Sequence, residues 1–406
     1  MRIGLVTGEF PPMQGGVGAY THELATALGK LDHQVHVITR AGCASTIDQM
    51  RPTNGVESAT RGQEPTARIS VHPIVPHWNW RSMRRVMQLA RRLDLEVLNI
   101  QYQAAAYDLH PAVNLYPSLS GLSSPRRKRQ PPITVTFHDL LVPYLFPKAG
   151  PLRDWIVTFF ARRADAVIVT NRSDELTLSA RGVAPLARIP IGSNIAPVLP
   201  DAYDRKAWRD ELGVTPEIFL LGFFGFFNVR KGVETLLRAL AELPANYHLL
   251  FIGGTVGSSD PTNRAYADRI LGLMEALGLG DRVHFTGYVS ETEVSAAFAA
   301  LDLCVLPYAD GISFHHGTLM AALAHGQPTL STQPSIQLPE LVHGENVWLV
   351  PPQDPAALVA AVNTLAADPA LRAGLADGAA ELSTQFGWER IATRTADLLE
   401  GVIRET

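Results

Sequence analysis

The chain has 406 residues, room for two or three domains of ~100–200 residues each. Hydrophobic residues make up 46% and charged residues 18%, a balance that excludes an intrinsically disordered chain. Two cysteines, Cys43 and Cys304, exclude a disulfide framework and a four-cysteine zinc site, and are expected as buried thiols in a reducing compartment. No apolar run approaches the ~20 residues of a bilayer span; the longest obvious one is FLLGFFGFF at 219–227. The opening MRIGLVTG lacks the basic-then-apolar form of a secretory signal, so a soluble cytoplasmic protein is the expectation.

In chain order, strand-like runs over 2–8, 34–39, 97–101, 133–137 and 166–170 alternate with helical patterns over 18–31 and 152–164. Residues 190–197, PIGSNIAP, break the pattern and read as a hinge between domains. The alternation then restarts with strands over 219–224, 247–252, 283–286 and 303–307. Helices are predicted over 232–243, 264–277, 291–300, 318–325, 355–365 and 388–403. Such alternation predicts an α/β chain with parallel sheets: two Rossmann-like domains facing across a cleft, residues 1–195 and 196–387, then a C-terminal helix, 388–406. Ligands of such sheets bind beyond the carboxyl ends of the strands.

The net charge of −4 conceals an asymmetry, for residues 1–195 carry +8 and residues 196–406 carry −12. Two clusters hold much of the positive charge, Arg126-Arg127-Lys128-Arg129 and the set Arg81, Arg84, Arg85, Arg91 and Arg92. The plain reading is a solvated loop and a solvated helix face. The sharper one is a surface for an anionic acceptor or for peripheral contact with anionic lipid at the inner membrane face. Nucleic acid is not expected, because no stacking aromatics interleave with the basic residues.

Four segments after strands carry the candidate chemistry. The first, Glu9 to Gly18, contains Gly15 and Gly16 ahead of a helix, a place where backbone amides can approach an anion. It makes a poor dinucleotide fingerprint, since the third glycine is missing and the second strand ends in Arg40 rather than an acid. The second, Thr136-Phe-His138-Asp139, puts a histidine at a strand end, where it can donate a hydrogen bond to a substrate oxygen; Asp139 could fix that ring or cap the next helix. The third, Gly225-Phe-Phe-Asn228-Val-Arg230-Lys231-Gly232, combines glycines, two cations and a helix start, with Lys231 able to neutralise a phosphate as a point charge. The fourth runs from Tyr308 through Asp310, Ser313, Phe314, His315, His316, Gly317 and Thr318 into a helix of small residues. Adjacent histidines face different ways, so they read as hydrogen-bond donors and no metal site is expected. Asp-x-Asp, HExxH, GxSxG and Walker patterns are absent.

In this order the segments resemble the family 4 glycosyltransferases, retaining enzymes of the GT-B fold, over nearly the whole chain. PPMQGGVGAYTHELATALGKLDHQVHVIT is similar to the family's acceptor-domain start, RKGVETLLRAL to its donor-phosphate segment and VHFTGYVSETEV to the strand-loop near the base. LPELVHGENVWLVPPQDPAAL is similar to its second donor segment and FGWERIATRTADLL to the helix that crosses back to the first domain. The resemblance implies that Gly15 and Gly16 lie against the donor phosphates or sugar, His138 beside the transferred sugar, Lys231 on the diphosphate and Glu340 at the acid of the donor segment. The segments around them add Gly225, Asn228, Arg230, Ser313, Phe314, His315, His316, Gly317 and Thr318 on the donor side, and Tyr20, Gln103 and Asp139 on the acceptor side. It implies no cofactor beyond a nucleotide diphosphate sugar as co-substrate, no metal, and a glycan or lipid-linked acceptor.

Two features depart from the family pattern. Phe226 stands where the family has an arginine, and Ser313 and Ala321 stand where it has two glutamates. The expected activity is transfer of a hexose-type sugar to a hydroxyl with retention, by a front-face mechanism in which the leaving phosphate helps deprotonate the acceptor. The alternatives are a nucleotide-sugar epimerase on the same fold or a sugar-binding scaffold without activity; a nicotinamide enzyme ranks last.

Overall fold

The structure is a computed structural model that describes residues 1–13, 15–43, 68–120, 130–140, 151–255 and 262–406. The basic cluster at 126–129 lies outside the described residues. The chain divides into two compact units, Met1–Ile191 with Trp388–Thr406, and Gly192–Gly387. The second unit begins inside the stretch 190–197.

Unit 1 is built on a parallel sheet of seven strands: β1 (Arg2–Thr7), β2 (Gln34–Arg40), β3 (Ile69–Val75), β4 (Val97–Tyr102), β5 (Ile133–Phe137), β6 (Ala166–Val169) and β7 (Leu186–Arg188). Their spatial order is β3-β2-β1-β4-β5-β6-β7, and apart from Arg2 the central strands are buried. Buried on both faces, such strands read as near-continuous apolar runs. Helices α1 (Gly16–Lys30), α2 (Trp80–Arg92), α3 (Ala112–Ser120), α4 (Pro151–Arg163) and α5 (Arg172–Ala180) connect them. One face of the sheet packs on Met83, Val86 and Met87 of α2 and Val157 and Phe160 of α4. The other meets Leu24 and Leu28 of α1 together with Ile391, Ala396 and Leu399 of the last helix, each fully buried leucine contributing about 1.5–3 kcal/mol.

Unit 2 repeats the plan with six parallel strands, β8 (Phe219–Phe224), β9 (Tyr247–Ile252), β10 (Val283–Phe285), β11 (Leu303–Leu306), β12 (Thr329–Thr332) and β13 (Trp348–Val350), ordered β10-β9-β8-β11-β12-β13. Its helices are α6 (Arg205–Glu211), α7 (Val233–Glu242), α8 (Thr262–Ala276), α9 (Glu291–Ala300), α10 (Gly317–Ala324), α11 (Pro355–Ala367) and α12 (Pro369–Ser383); α13 (Trp388–Glu405) belongs to unit 1. Local signals set several helix starts. Ser290 and Glu293 close a capping box on α9, and Asp354 and Asp368 cap α11 and α12, each with proline in the first turn. Both cysteines are buried and free.

Candidate active site

In unit 1 the carboxyl ends of β1, β4, β5 and β6 bring Glu9, Gln103, His138, Asp139 and Asn171 to one edge of the sheet. The glycine loop there is closed from within. Glu9 Oε1 accepts from the backbone amides of Val17 at 3.0 Å and Gly18 at 3.1 Å. Its carboxylate therefore sits on the positive end of α1, where a negative charge is favoured. A Cβ on Gly15 would meet that carboxylate at 2.1 Å, while Gly16 faces open space. The amides expected to meet a donor phosphate thus already hold an anion, and Gly15 is there to make room for it.

His138 follows β5 and is fixed from three sides. Its amide donates to the Tyr102 carbonyl at 3.1 Å, its Nε2 lies 2.9 Å from Gln101 Oε1, and the Tyr20 ring meets it edge-on at 4.7 Å. Burial pushes the imidazole down to about 3, so the ring is neutral. Tyr20, expected on the acceptor side, is buried between His138 and Trp388 and forms the wall behind the histidine. Gln103 Nε2 donates to Asp139 at 3.2 Å, so that pair does come together. Asp139 neither fixes the His138 ring, which Gln101 holds, nor adjoins a described helix start.

Two features of this edge were not read from the sequence. Asp174, on α5, is raised to about 6 by burial, with the nearby Asp139 charge adding to it and the Asn171 hydrogen bond opposing it. Beneath His138, the register pairs Asn99 with Thr134 and Gln101 with Thr136, and all four side chains are fully buried. Polar residues at alternate positions of VLNIQY and ITVTF were the available signal, since i and i+2 share a sheet face.

In unit 2 the site forms where β8 and β11 end. Gly225 has φ +111°, a backbone state that favours glycine. A Cβ there would lie 2.6 Å from Lys231 Nζ and 2.8 Å from Thr318 Cγ2, so its absence opens the space in which the lysine ends. Asn228 accepts from the Arg230 amide and starts the single turn Val229–Lys231. Gly232 ends it at φ +68°, so close to the Pro307 carbonyl that a Cβ would overlap it. The turn points the two cations apart. Arg230 pairs with Asp310 at the surface at 2.6 Å. Lys231 has no carboxylate partner among the described residues, and burial lowers its ammonium to about 8.

Beside Lys231, α10 begins after His316, whose own side chain caps none of its amides. The His316 ring stacks on Tyr308 at 3.9 Å, and its Nδ1 is buried with no hydrogen-bond partner among the described residues. Burial, with His315, Arg230 and Lys231 nearby, drives it down to about 2. His315 Nδ1 and Ser313 Oγ share a hydrogen at 2.9 Å, and the Tyr308 and Thr318 hydroxyls another at 2.6 Å. A cation without a counter-ion, a helix start and two neutral imidazoles therefore adjoin, which is a binding place for a negatively charged group.

Most of the donor-side residues expected from sequence fall here: Gly225, Lys231, His316, Gly317 and Thr318, with Ser313 and His315 on their flank. Phe314 does not. It is 3% exposed and packs on Phe386 at 4.8 Å; its place between polar neighbours in the sequence hid an apolar anchor for the loop. Phe226, where an arginine was expected, is 37% exposed, and Ala321 is buried in α10. Glu340 lies in a turn that Asn346 braces by donating to its carbonyl at 3.0 Å.

Two family models match this chain. One described as "Glycosyl transferase 4-like domain" covers residues 15–192, and one described as "Glycosyl transferases group 1" covers residues 218–368. Among similar proteins is the phosphatidyl-myo-inositol mannosyltransferase of Mycolicibacterium smegmatis, 25% identical over 99% of this chain and 94% of its own. The D-inositol 3-phosphate glycosyltransferase of Xylanimonas cellulosilytica is 30% identical over 58% of this chain and 56% of its own. The chain spans about half the length of several of the inositol-phosphate relatives it matches. HepE of Anabaena, solved in complex with UDP, superposes over 99% of this chain and 100% of its own with a TM-score of 0.74 at 20% identity, which speaks for the fold. The class is GT-B, two parallel-sheet α/β units. Within it, the chain belongs to the family 4 glycosyltransferases.

Proposed function

We propose that this protein is a retaining, metal-independent hexosyltransferase that moves a sugar from a nucleotide diphosphate donor to a hydroxyl of a glycan or lipid-linked acceptor. One observation carries the reading: Lys231, half-buried without a carboxylate partner among the described residues, beside the start of α10, which the His316 side chain leaves uncapped. When the sugar–phosphate bond breaks, negative charge grows on the leaving diphosphate, and a cation and helix amides already in place stabilise it without rearranging. The departing phosphate oxygen takes the acceptor proton on the same face from which the sugar leaves. A relative named for phosphatidyl-myo-inositol mannosylation and a neighbour solved with UDP agree with the donor and acceptor classes.

The acceptor side favours a membrane-borne substrate. Arg81, Arg84, Arg85, Arg91 and Arg92 all lie on α2, and none has an acidic partner among the described residues. Trp80 beside them is 39% exposed. An unneutralised basic face flanked by an aromatic ring suits anionic headgroups. No described helix is long and apolar enough to cross a membrane, and the contact proposed is a peripheral one.

The decisive experiment is a thermal-shift panel of UDP, GDP, ADP and their sugars on the wild type and on Lys231→Ala. One nucleotide should stabilise the wild type and lose that effect in the variant, and the anomeric configuration of the product should match the donor's. If no nucleotide stabilises the wild type, the reading is wrong.

A further inference from the structure

Buried polar side chains inside a sheet are costly unless each is satisfied, and those beneath His138 satisfy one another in a fixed direction. The Thr134 hydroxyl donates to the Leu98 carbonyl at 3.2 Å, an oxygen that only accepts. That hydroxyl is therefore free to receive from Asn99 Nδ2 at 2.9 Å. Asn99 Oδ1 in turn accepts from Thr136 Oγ1 at 3.1 Å and from Gln101 Nε2. With its nitrogen so engaged, Gln101 presents Oε1 to His138 Nε2 at 2.9 Å. An amide oxygen at that point requires a proton on Nε2. A neutral imidazole carries a single N–H, so the lone pair stays on Nδ1.

We propose that Thr134, Asn99 and Gln101 are positioning residues that lock His138 in its Nε2–H tautomer, so that Nδ1 accepts a hydrogen bond from a hydroxyl of the substrate. Only the last clause rests on the glycosyltransferase reading; the tautomer follows from the sheet. The ring's low affinity for a second proton, set by burial, keeps Nδ1 unprotonated at neutral pH. Reversing the relay means turning both amides together and taking the Thr134 hydroxyl from Leu98. The state of the ring is thus governed by a hydroxyl three hydrogen bonds away. The consequence is selectivity: Nδ1 accepts from a hydroxyl and repels the lone pairs of an ether or a carbonyl, the reverse of the donor role that the sequence suggested.

The test is a nitrogen-15 histidine correlation spectrum of the full chain at pH 7, with the His138 signal assigned by its loss in His138→Asn. The wild type should show the Nε2–H form alone. Thr134→Val, which keeps the shape and removes the hydroxyl, should give a mixture of tautomers and about a tenfold lower kcat with KM unchanged; Thr134→Ser should restore both. Should Thr134→Val not fold, Gln101→Met breaks the same chain one link from the ring and should give the same mixture. An Nδ1–H ring or an imidazolium in the wild type overturns the proposal, and so does an unchanged tautomer population in the broken-relay variants. The two readings fail separately. An Nε2–H ring in a protein that binds no nucleotide leaves the relay standing, whereas an Nδ1–H ring in an active transferase removes the relay alone.

Discussion

The start of α1 and the start of α10 look alike as sequence and differ in charge. Each is a strand end, a polar loop with glycines and the first turn of a helix. At α1 the chain supplies its own anion, for the Glu9 carboxylate holds the Val17 and Gly18 amides. At α10 the His316 side chain does not do so, and a half-buried lysine without a carboxylate partner among the described residues lies alongside. A filled helix start is a structural joint; an unfilled one beside an uncompensated cation has binding capacity left over. Glycines mark where backbone can come close, and the charge balance decides what it comes close to.

Lys231→Ala should break the comparison most severely. Turnover should fall by about 10²–10³, as for loss of one preorganised charge-stabilising group, and steady-state kinetics with the donor found in the nucleotide panel would show it. Glu9→Ala in the same assay should leave nucleotide affinity within a few-fold, because its role is internal. A pH series sharpens the point. Lys231 titrates near 8 in the folded chain, below the ordinary lysine value of ~10.4. Its charge is therefore present at neutral pH and lost as pH rises through 8, so nucleotide affinity should weaken toward tenfold per pH unit above that. The stability of the nucleotide-free protein should move the other way between pH 8 and ~10.4, since deprotonation relieves a buried charge. Flat nucleotide affinity from pH 7 to 10 would place the diphosphate elsewhere.

Next in size are the glycines. Gly232→Ala puts a side chain at φ +68° and into the Pro307 carbonyl, and should destabilise by roughly 3 kcal/mol. Gly16→Ala meets open space at the head of α1 and should be neutral or stabilising by up to ~1 kcal/mol. Urea unfolding of the pair measures both, and equal losses would mean that the turn before α7 is no tighter than the head of α1. The smallest effect belongs to the cap. Glu9→Ala should cost about 1 kcal/mol in the same unfolding experiment, within the range of a lost N-terminal cap.

Much of this protein was legible before the structure. The strand ends at His138 and Gly225 and the helices that follow Gly232 and His316 come from hydrophobic alternation and turn residues, signals that act within a few neighbours. Lys231 stood out in the sequence as a cation able to neutralise a phosphate, but its lack of a carboxylate partner did not, because lysine and glycine before a helix are a common pair. Less legible were partnerships between residues distant in sequence. Arg230 stands next to Lys231, yet it is taken out of the pocket by Asp310, eighty positions away. Phe314 looked like part of a ligand loop and is held by Phe386. Asn99 and Gln101 read as ordinary strand residues until the register set Thr134 and Thr136 beside them.

The amino-acid sequence by itself determined the two parallel-sheet units, the strand ends where chemistry gathers and the family of the chain, because these depend on local periodicity and on ordered motifs. Only the tertiary structure decided which helix start is filled by a carboxylate of the chain, which of two neighbouring cations is paired and which nitrogen of His138 carries the proton. Those outcomes depend on electrostatics and hydrogen-bond direction, and both are fixed by which distant groups the fold brings within about 3 Å of each other.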